Sequence, residues 1–451
     1  MDHIRSRRIA LMAPVVFCLV SQQSQSAEYI RAQEPAPASV QQLQDRVQRA
    51  FTETPVDVGR PHPRVDEWLK DRTPFVRDTR FGIKPRTYYL DQNNLDGSKN
   101  EAWALGGSLY YVSGQWKELF SVSAELFTSQ KLFGPETRDG TELLGPGQGG
   151  FTVLGTAYVQ LQHKEFLARL YRQRLNLVYV NGDDDRMVAN TFEAYDARYL
   201  GRRLGISVGY IDQIKTKSAD TFRSMSEVAG VPGSDKGVAM VGAIVAPTDN
   251  LTGGAINFYG FDLFNTFYTE ANFTSAITDE LELGLSGQFT DQRSVGDALL
   301  GSFDTQNGGA QVAVSYKGAI LNVAFNTTSN GAAIRSPWGG YPGFVSLMEL
   351  DFNRAGEDAW LVGMSYHFKQ QALAGFSMFG SFARGTGARD ATTHIALPDE
   401  SEFNMTLDYL PPKEVLRGLW FRIRGLIVDQ EGADDLTTGI RVIVNYRYGF
   451  L

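Results

Sequence analysis

Apolar side chains recur at every second position from Arg80 to the end of the chain, which is the period of a β-strand with two different faces. The closing segment shows this alternation most clearly. One face carries, in order, Ile440, Val442, Val444, Tyr446, Tyr448 and Phe450. The other carries Arg441, Ile443, Asn445, Arg447 and Gly449. Residues 281–289, 360–368 and 403–409 repeat the pattern, so the chain is predicted to be all-β, with one apolar and one mostly polar face on each strand.

The lengths of these strands and of their connections predict a closed barrel in a membrane. The strand-like runs are about ten residues long, the length that a tilted strand needs to cross a bilayer. Tight turns at residues 201–203 and 317–318 alternate with long polar loops at residues 134–150, 215–236 and 326–351. Counting candidates from Arg80 gives about 18 strands, enough to enclose a water-filled lumen. The predicted fold is a transmembrane antiparallel β-barrel.

Aromatic residues support the same interpretation. Several lie at or near predicted strand ends, where amphipathic rings match the headgroup region of a bilayer: Trp103, Tyr111, Tyr366, Tyr446 and Tyr448. The chain also ends inside its last predicted strand, with Phe450 beside the terminal Leu451, as suits an outer-membrane assembly signal.

Composition narrows the possible functions. The formal charge of −8 argues against a nucleic-acid binder, and no apolar run approaches the eighteen residues of a membrane-spanning helix. The basic residues before residue 9 and the apolar run that follows predict a secretory signal at residues 1–26, which contains the only cysteine, Cys18. We expect a periplasmic arm at residues 27–78, with helical spacing at residues 39–51 only, and the barrel at residues 79–451.

If the apolar face meets lipid, the polar face lines the lumen, and its cations become candidates for solute binding. We call the inward basic residues the basic ladder: Arg80, Lys84, Arg86, Arg169, Arg198, Arg422, Arg424, Arg441 and Arg447. Arginine offers planar paired donors to a carboxylate, and a series of weak sites speeds passage where one tight site would trap. Alternatively, these cations only neutralise lumen acids such as Glu125, Asp196, Glu282 and Asp408. Both alternatives stay open, and they can hold at different heights.

Other candidate sites have weaker support. The acidic run 183–185 beside Arg186 suits a solvated turn better than a divalent-cation site. The histidines are too scattered for metal-ligand spacing, and no spacing singles out a Ser-His-Asp set. We therefore expect no cofactor, no metal and no enzymatic activity.

Several segments after residue 78, in this order, resemble the OprD-type family of substrate-specific outer-membrane porins. They are residues 86–91 (RTYYLD), 100–107 (NEAWALGG), 127–135 (FTSQKLFGP), 172–173 (RQ), 185–194 (DRMVANTFEA), 209–212 (GYID) with Met225 and Gly230, 351–357 (DFNRAGE) and 441–446 (RVIVNY). The resemblance implies a monomeric channel whose loops 134–150 and 330–357 fold inward, with wall arginines that guide carboxylates. Three features differ from the family pattern: Tyr171 replaces a common glycine, Ala189 replaces a common proline, and the N-terminal arm is longer.

Together these observations predict a channel in the outer membrane of a Gram-negative bacterium for the passive uptake of small carboxylates, such as amino acids or aromatic acids. Its expected partners are small anionic solutes, outer-membrane lipid and the barrel-assembly machinery, and its expected state is a monomer or weak trimer. A sugar or chito-oligosaccharide porin is an alternative, which requires aromatic rings at the constriction. An outer-membrane hydrolase and a plugged structural barrel are further alternatives.

Overall fold

Two short helices precede the barrel: α1 (Pro63–Lys70) and α2 (Pro74–Arg77). The structure, a computed structural model, describes residues 63–368, 373–412, 416 and 418–451, so the predicted signal and the helical spacing at residues 39–51 lie outside it. The sequence pattern predicted helical spacing at residues 39–51 only and so did not predict α1 or α2, each of which begins with a proline. A proline in the first turn of a helix costs little, since that N–H has no partner within the helix.

Eighteen antiparallel strands follow in the described residues. They are β1 (Arg80–Asn93), β2 (Lys99–Val112), β3 (Phe120–Phe133), β4 (Phe151–His163), β5 (Phe166–Gln173), β6 (Thr191–Leu200), β7 (Leu204–Lys215), β8 (Val238–Thr248), β9 (Leu251–Gly260), β10 (Phe264–Ala276), β11 (Leu281–Ser294), β12 (Asp304–Tyr316), β13 (Ala319–Thr328), β14 (Asp358–His367), β15 (Phe376–Thr386), β16 (Glu400–Tyr409), β17 (Leu419–Gln430) and β18 (Thr437–Tyr446). Shorter elements are the two-residue strands Arg223–Ser224 and Tyr448–Gly449, helix α3 (Met225–Val228) and the 3₁₀ turns Glu136–Arg138 and Pro146–Gln148.

The sheet closes on itself because the first strand pairs with the last. Arg86 lies opposite Asn445 and Asn93 opposite Thr438 across β1 and β18. Beyond β18, the chain pairs with β1 again at Tyr448–Gly449. All backbone groups of a strand can then be bonded without an open edge, which a bilayer requires. The predicted barrel and its strand number are confirmed.

The two faces of the strands meet different surroundings, as their alternation predicted. On β18, Ile440 is 46% exposed whereas Arg441 is 1% exposed. On β16, Phe403 is 45% exposed and Asn404 only 7%. The apolar rows therefore point out of the barrel toward lipid, and the polar rows point into the lumen. No helix in the described part of the chain has the length and apolar character needed to cross a membrane.

The connections differ at the two ends of the barrel, which we call the turn end and the loop end. Aromatic residues gather at the turn end, where Phe376 stacks on Tyr409 and Tyr446 stacks on Tyr448. At the loop end, residues 134–150, 174–190, 216–237 and 329–357 make the longest connections. The aromatic rings fit the headgroup level of a bilayer.

Loops 134–150 and 329–357 fold into the lumen, as expected, and loop 174–190 joins them there. Leu143 and Leu144 pack against inward side chains of β1 to β3. Val345 and Phe352 pack against inward side chains of β13, β14 and β15. In loop 174–190, the Tyr179 hydroxyl lies 2.8 Å from the Thr290 hydroxyl on β11. The three loops therefore narrow the lumen from several walls.

Candidate functional site

Four of the predicted arginines lie together where the barrel closes. They are on the lumen faces of three adjacent strands, β1, β18 and β17, and we call them the basic wall: Arg86, Arg422, Arg424 and Arg441. Arg424 lies directly opposite Arg441, and Arg86 lies opposite Asn445. None of the four is more than 7% exposed. The predicted meeting of the first, penultimate and last strands therefore brings these guanidinium groups onto one surface.

The partners of the basic wall change with height in the barrel. Nearest the turn end, Arg422 donates two hydrogen bonds to the Asp408 carboxylate, at 2.7 and 2.8 Å, as the pairing alternative predicts for that position. One step toward the loop end, Arg424 donates to the Thr406 hydroxyl at 3.3 Å. Arg441 lies 3.6 Å from Glu349 of loop 329–357. Its Nε and Nη2 atoms have no hydrogen-bond partner among the described residues.

Arg80 and Lys84 of β1, together with Arg447, extend this surface toward the turn end. Lys84 lies 3.4 Å from Glu125 of β3, and Arg86 lies 2.8 Å from Asp184 of loop 174–190. A cavity of about 30 Å³ is lined by Lys84, Arg86 and Arg447, among other residues. Arg80 begins β1 opposite Val112.

Arg169 and Arg198 lie apart from the basic wall, on β5 and β6. Arg169 donates to Gln160 at 2.8 Å and lies over the ring of Tyr158. Arg198 donates to Asp196 at 2.6 Å. The structure therefore divides the nine predicted basic residues between two regions of the lumen. The residues of β1, β17 and β18, together with Arg447, lie on one surface, and those of β5 and β6 lie on another part of the wall.

The acidic run 183–185 belongs to a partly exposed ion-pair cluster, in which the side chains of Asp183 and Asp185 are 28% and 27% exposed. Lys217, just after β7, lies 2.7 Å from Asp183 and 3.0 Å from Asp185. Arg186 pairs with Asp185, and Glu142 of loop 134–150 lies 3.4 Å from Lys217. We call these five residues the three-loop cluster. No motif or spacing predicted this cluster, because its members come from three separate loops.

The charges of the three-loop cluster are unequal. Burial and the neighbouring Asp185 carboxylate raise the pKa of Asp183 to about 6, against the opposing effect of Lys217. Burial opposes ionisation of Asp185 as well, but Arg186 and Lys217 outweigh it and lower the pKa of Asp185. Asp183 is therefore the carboxyl of this pair that takes up a proton first.

A buried carboxylate on β16 fixes loop 329–357 to the lumen wall. Glu402 on β16 accepts hydrogen bonds from the backbone N–H groups of Met348, Glu349 and Leu350, the last at 2.7 Å. The same loop segment carries Glu349, which also accepts from Gln92 of β1 at 3.2 Å. This part of the loop lies over the basic wall at its loop end.

Aromatic rings also occur near the constriction, but they are packed inside it. The ring centroids of Tyr179 lie 6.0 Å from those of Tyr268 and Tyr341. None of the three residues is more than 8% exposed. Trp338 stacks on Phe264 with centroids 5.2 Å apart. These rings join loops 174–190 and 329–357 to the wall, and they do not form an accessible stacking row.

Tyr171 and Ala189, the two residues that differ from the family pattern, have different environments. Tyr171 has a φ of +87°, a conformation that favours glycine, and lies opposite Tyr158 on the lumen-facing register of β4. Ala189 is buried, and its carbonyl accepts a hydrogen bond from the Lys215 ammonium at 2.9 Å. Within the ranges that the structure describes, no group of three His, Cys, Asp or Glu side chains is arranged to hold a metal ion.

Comparisons with known proteins agree on one family. A family model described as outer membrane porin, OprD family, matches residues 73–450. Porin D of Pseudomonas aeruginosa is 21% identical over 414 residues, which cover 84% of this chain and 92% of that protein. Among solved structures, P. aeruginosa OccK9 (OpdG) is 20% identical with a TM-score of 0.77, covering 84% of this chain and 100% of its own. P. aeruginosa OpdK with vanillate is 18% identical with a TM-score of 0.75, covering 83% of this chain and 100% of its own.

Proposed function

Because the chain belongs to the OprD family of outer membrane porins, we propose that it admits small carboxylate-bearing solutes passively along the basic wall. It is a channel of the Gram-negative outer membrane. Amino acids and aromatic acids are the expected solutes, and their concentration gradient alone drives their passage.

The observation that carries this proposal is the pair Arg424 and Arg441. They lie directly opposite each other on neighbouring strands, at 7% and 1% exposure. The Nε and Nη2 atoms of Arg441 lack hydrogen-bond partners among the described residues, although buried guanidinium donors are normally satisfied. A carboxylate accepts paired N–H donors in a planar arrangement, so it suits this surface better than a neutral solute.

A second observation comes from the relatives. The solved structure of OpdK was determined with vanillate, whose name denotes a carboxylate. The sugar alternative requires exposed aromatic rings at the constriction, and Tyr179, Tyr268 and Tyr341 are buried there instead. Both observations favour the carboxylate class.

The proposal also covers the parts of the chain around the barrel. We expect a signal peptide at residues 1–26, a periplasmic arm at residues 27–78, assembly by the barrel-assembly machinery and a monomer or weak trimer. The class of channel implies no covalent chemistry, so we expect no enzymatic turnover.

Planar-bilayer recording tests the proposal. The wild-type channel should show current steps that benzoate or an acidic amino acid interrupts. Arg441→Gln should shorten these interruptions and shift ion preference toward cations, because it removes a guanidinium charge from the basic wall. The matched control is Arg169→Gln, which removes the same charge from β5 and should change the interruptions less. Open steps that no carboxylate affects would refute the solute class, and equal effects of the two variants would refute the role of the basic wall.

A further inference from the structure

The ring of Phe75 in α2 packs on the outside of the barrel at its turn end. It stacks on Phe120, the first residue of β3, with ring centroids 6.3 Å apart. Phe120 is on the same face of β3 as Leu126, which is 39% exposed to the lipid side, and it lies opposite Leu161 of β4, which is 38% exposed. Helix α2 therefore touches the surface of the barrel that meets lipid.

Backbone contacts hold α2 in this place. The N–H of Gly114, in the turn between β2 and β3, donates to the Phe75 carbonyl at 3.0 Å. The Thr79 hydroxyl donates to the same carbonyl at 3.1 Å. A Cβ atom at Gly114 would lie 2.0 Å from the Pro74 carbonyl oxygen, so only glycine permits this close approach. The chain before β1 is thus fixed to the rim of the barrel from Pro74 onward.

An exposed indole extends this contact. Trp116, in the same turn as Gly114, is 53% exposed and packs edge-on against Phe120 with ring centroids 6.4 Å apart. We call Phe75, Trp116 and Phe120 the rim cluster. It continues the set of aromatic rings already described at the turn end, so it lies at the level where the lipid-facing wall meets the headgroups.

Helix α1 presents a fourth ring. Trp68 is 54% exposed, whereas the next residue, Leu69, is 2% exposed, so this helix has one packed side and one open side. The guanidinium of Arg72 lies 4.4 Å from the centre of the Trp68 ring. Arg72 precedes Phe75 by three residues, a span of at most about 11 Å between their Cα atoms. The Trp68 ring is therefore held close to the rim cluster.

The charges beside these rings favour a membrane surface over a strongly charged partner. The Lys117 ammonium lies 4.6 Å from the centre of the Trp116 ring, as Arg72 lies over Trp68. Each cation is next in sequence to an exposed acid, Asp71 or Glu118, so the four charges cancel. Aromatic rings bordered by balanced charges suit the headgroup region, where the ring meets acyl chains and the charges stay hydrated.

We propose that α1 and the rim cluster anchor the chain before β1 in the headgroup region of the periplasmic leaflet, with Trp68 and Trp116 inserted among phospholipids. The turn end faces the periplasm, because bacterial barrels have short periplasmic turns and long external loops. This inference goes beyond the proposed function, because it concerns the outside of the barrel and does not depend on the solute.

Nitroxide labels test the proposal by reporting the depth of single positions in a bilayer. Trp68→Cys and Trp116→Cys would be labelled separately in the full chain carrying Cys18→Ser, since Cys18 is the only natural cysteine, and reconstituted in phosphatidylcholine vesicles. Oxygen concentrates in the bilayer, whereas nickel ethylenediaminediacetate stays in water, so the ratio of their collision rates with the label rises with depth. Both labels should give ratios between those of a water-exposed and a lipid-facing reference position.

Two variants supply these references. Asp279→Cys, in the exposed turn between β10 and β11, gives the ratio for water at the same end of the barrel. Leu285→Cys, on the lipid-facing row of β11 and 41% exposed, gives the ratio within the bilayer. Heat-modifiability on gels verifies that each variant is folded. A ratio at position 68 or 116 equal to that at position 279 would overturn the proposal. Slow collisions with both reagents would overturn it as well, because they would mean that protein covers these rings.

Discussion

Tyr171 has a backbone conformation that costs a non-glycine residue roughly 1–3 kcal/mol, at a φ of +87°. The family pattern, which commonly has glycine here, identified the position from sequence alone. The sequence did not show how the tyrosine is accommodated: the guanidinium of Arg172 lies 5.3 Å from the centre of its ring and 4.2 Å from that of Phe222 in loop 216–237.

Tyr171→Gly should therefore stabilise the barrel and widen the lumen. We expect an increase of about 1 kcal/mol in the free energy of unfolding, measured by urea titration in lipid, because glycine adopts positive φ without strain. Single-channel conductance should rise as well, because the residue is on the lumen-facing register. Tyr171→Ala separates the two effects, since it removes the ring but keeps the strain. An equal stability gain in both variants would contradict the backbone explanation.

Arg422 and Arg424 were predicted as equivalent members of the basic ladder, but their environments differ. Parity assigned both to the lumen face correctly, because that depends on strand period alone. Parity does not reveal which cation has a carboxylate opposite it. Asp408 lies opposite Arg422 in the register, and Thr406 lies opposite Arg424. That pairing depends on how β16 is aligned with β17.

Arg422→Ala should consequently destabilise the barrel far more than Arg424→Ala. Asp408 would lose both hydrogen bonds from Arg422 and keep the one from the Trp420 indole at 3.0 Å. Removing one member of a buried ion pair costs about 3–5 kcal/mol. Adding Asp408→Ala to Arg422→Ala should restore most of the stability, as measured by urea titration. A double variant as unstable as Arg422→Ala would exclude the uncompensated charge as the cause.

At the scale of elements, strands were more predictable than loops. Residues 281–294 and 437–446 form strands because their apolar and polar side chains alternate, which suits a barrel wall between lipid and a water-filled lumen. Loop 174–190 has no such pattern, and its acidic run looked solvated. Its carboxylates instead pair with Lys217 and Arg86, which are distant in sequence. The basic wall was thus predictable in outline, whereas the three-loop cluster depended on contacts that no periodicity encodes.

The three-loop cluster should make ion selectivity depend on pH. The pKa of Asp183 is raised to about 6, so the carboxylate is neutralised as the pH falls through that value, and anion preference should rise. The pKa of Asp183 in the folded protein is above its ordinary value of 3.8, so the protonated carboxyl stabilises the folded cluster. This stabilisation is complete below pH 3.8 and is lost as the pH rises through about 6. Reversal potentials measured from acid to neutral pH would show the step.

Asp183→Asn should abolish this pH step. The exposed Asp220 of loop 216–237 supplies a control, because Asp220→Asn removes an acid from the same region without touching the cluster. A step that persists in Asp183→Asn would assign the titration to another group.

Loop 329–357 should become mobile when its anchor is removed. Glu402→Ala leaves three backbone N–H groups of the loop without their acceptor, so the loop should move off the wall and conductance should increase with more current noise. Glu282→Ala removes a carboxylate from β11 and should leave conductance close to that of the wild type. Unchanged current in Glu402→Ala would show that the hydrophobic contacts of Val345 and Phe352 suffice to hold the loop.

At the scale of the whole molecule, the pairing of β1 with β18 closes the barrel, and we call this pairing the seam. The terminal residues support it: Phe450 N–H donates to the Phe81 carbonyl at 2.7 Å, and the rings of these two residues lie 5.5 Å apart. The alternation of the last strand predicted its two faces. The pairing of this strand with β1 was predicted only because a closed barrel requires its first and last strands to be neighbours.

Removing residues 448–451 should impair assembly severely. The strand bonds near Gly82 would be lost, and unpaired backbone groups in lipid cost several kcal/mol each. The fraction of heat-modifiable protein should fall well below that of Phe450→Ala, which loses the ring but keeps the backbone bonds. Equal yields of the two variants would mean that the side chain alone supports closure.

The position of the seam links biogenesis to selectivity. Arg86 comes from the first strand, whereas Arg422, Arg424 and Arg441 come from the last two, so these residues meet only when the cylinder has zipped shut. In an assembly intermediate whose sheet is still open, Arg86 would lie at one edge of the sheet and the other three arginines at the opposite edge, so no continuous basic surface would exist. Under the proposed role of the basic wall, sealing the membrane and creating a selective passage are one event for this protein.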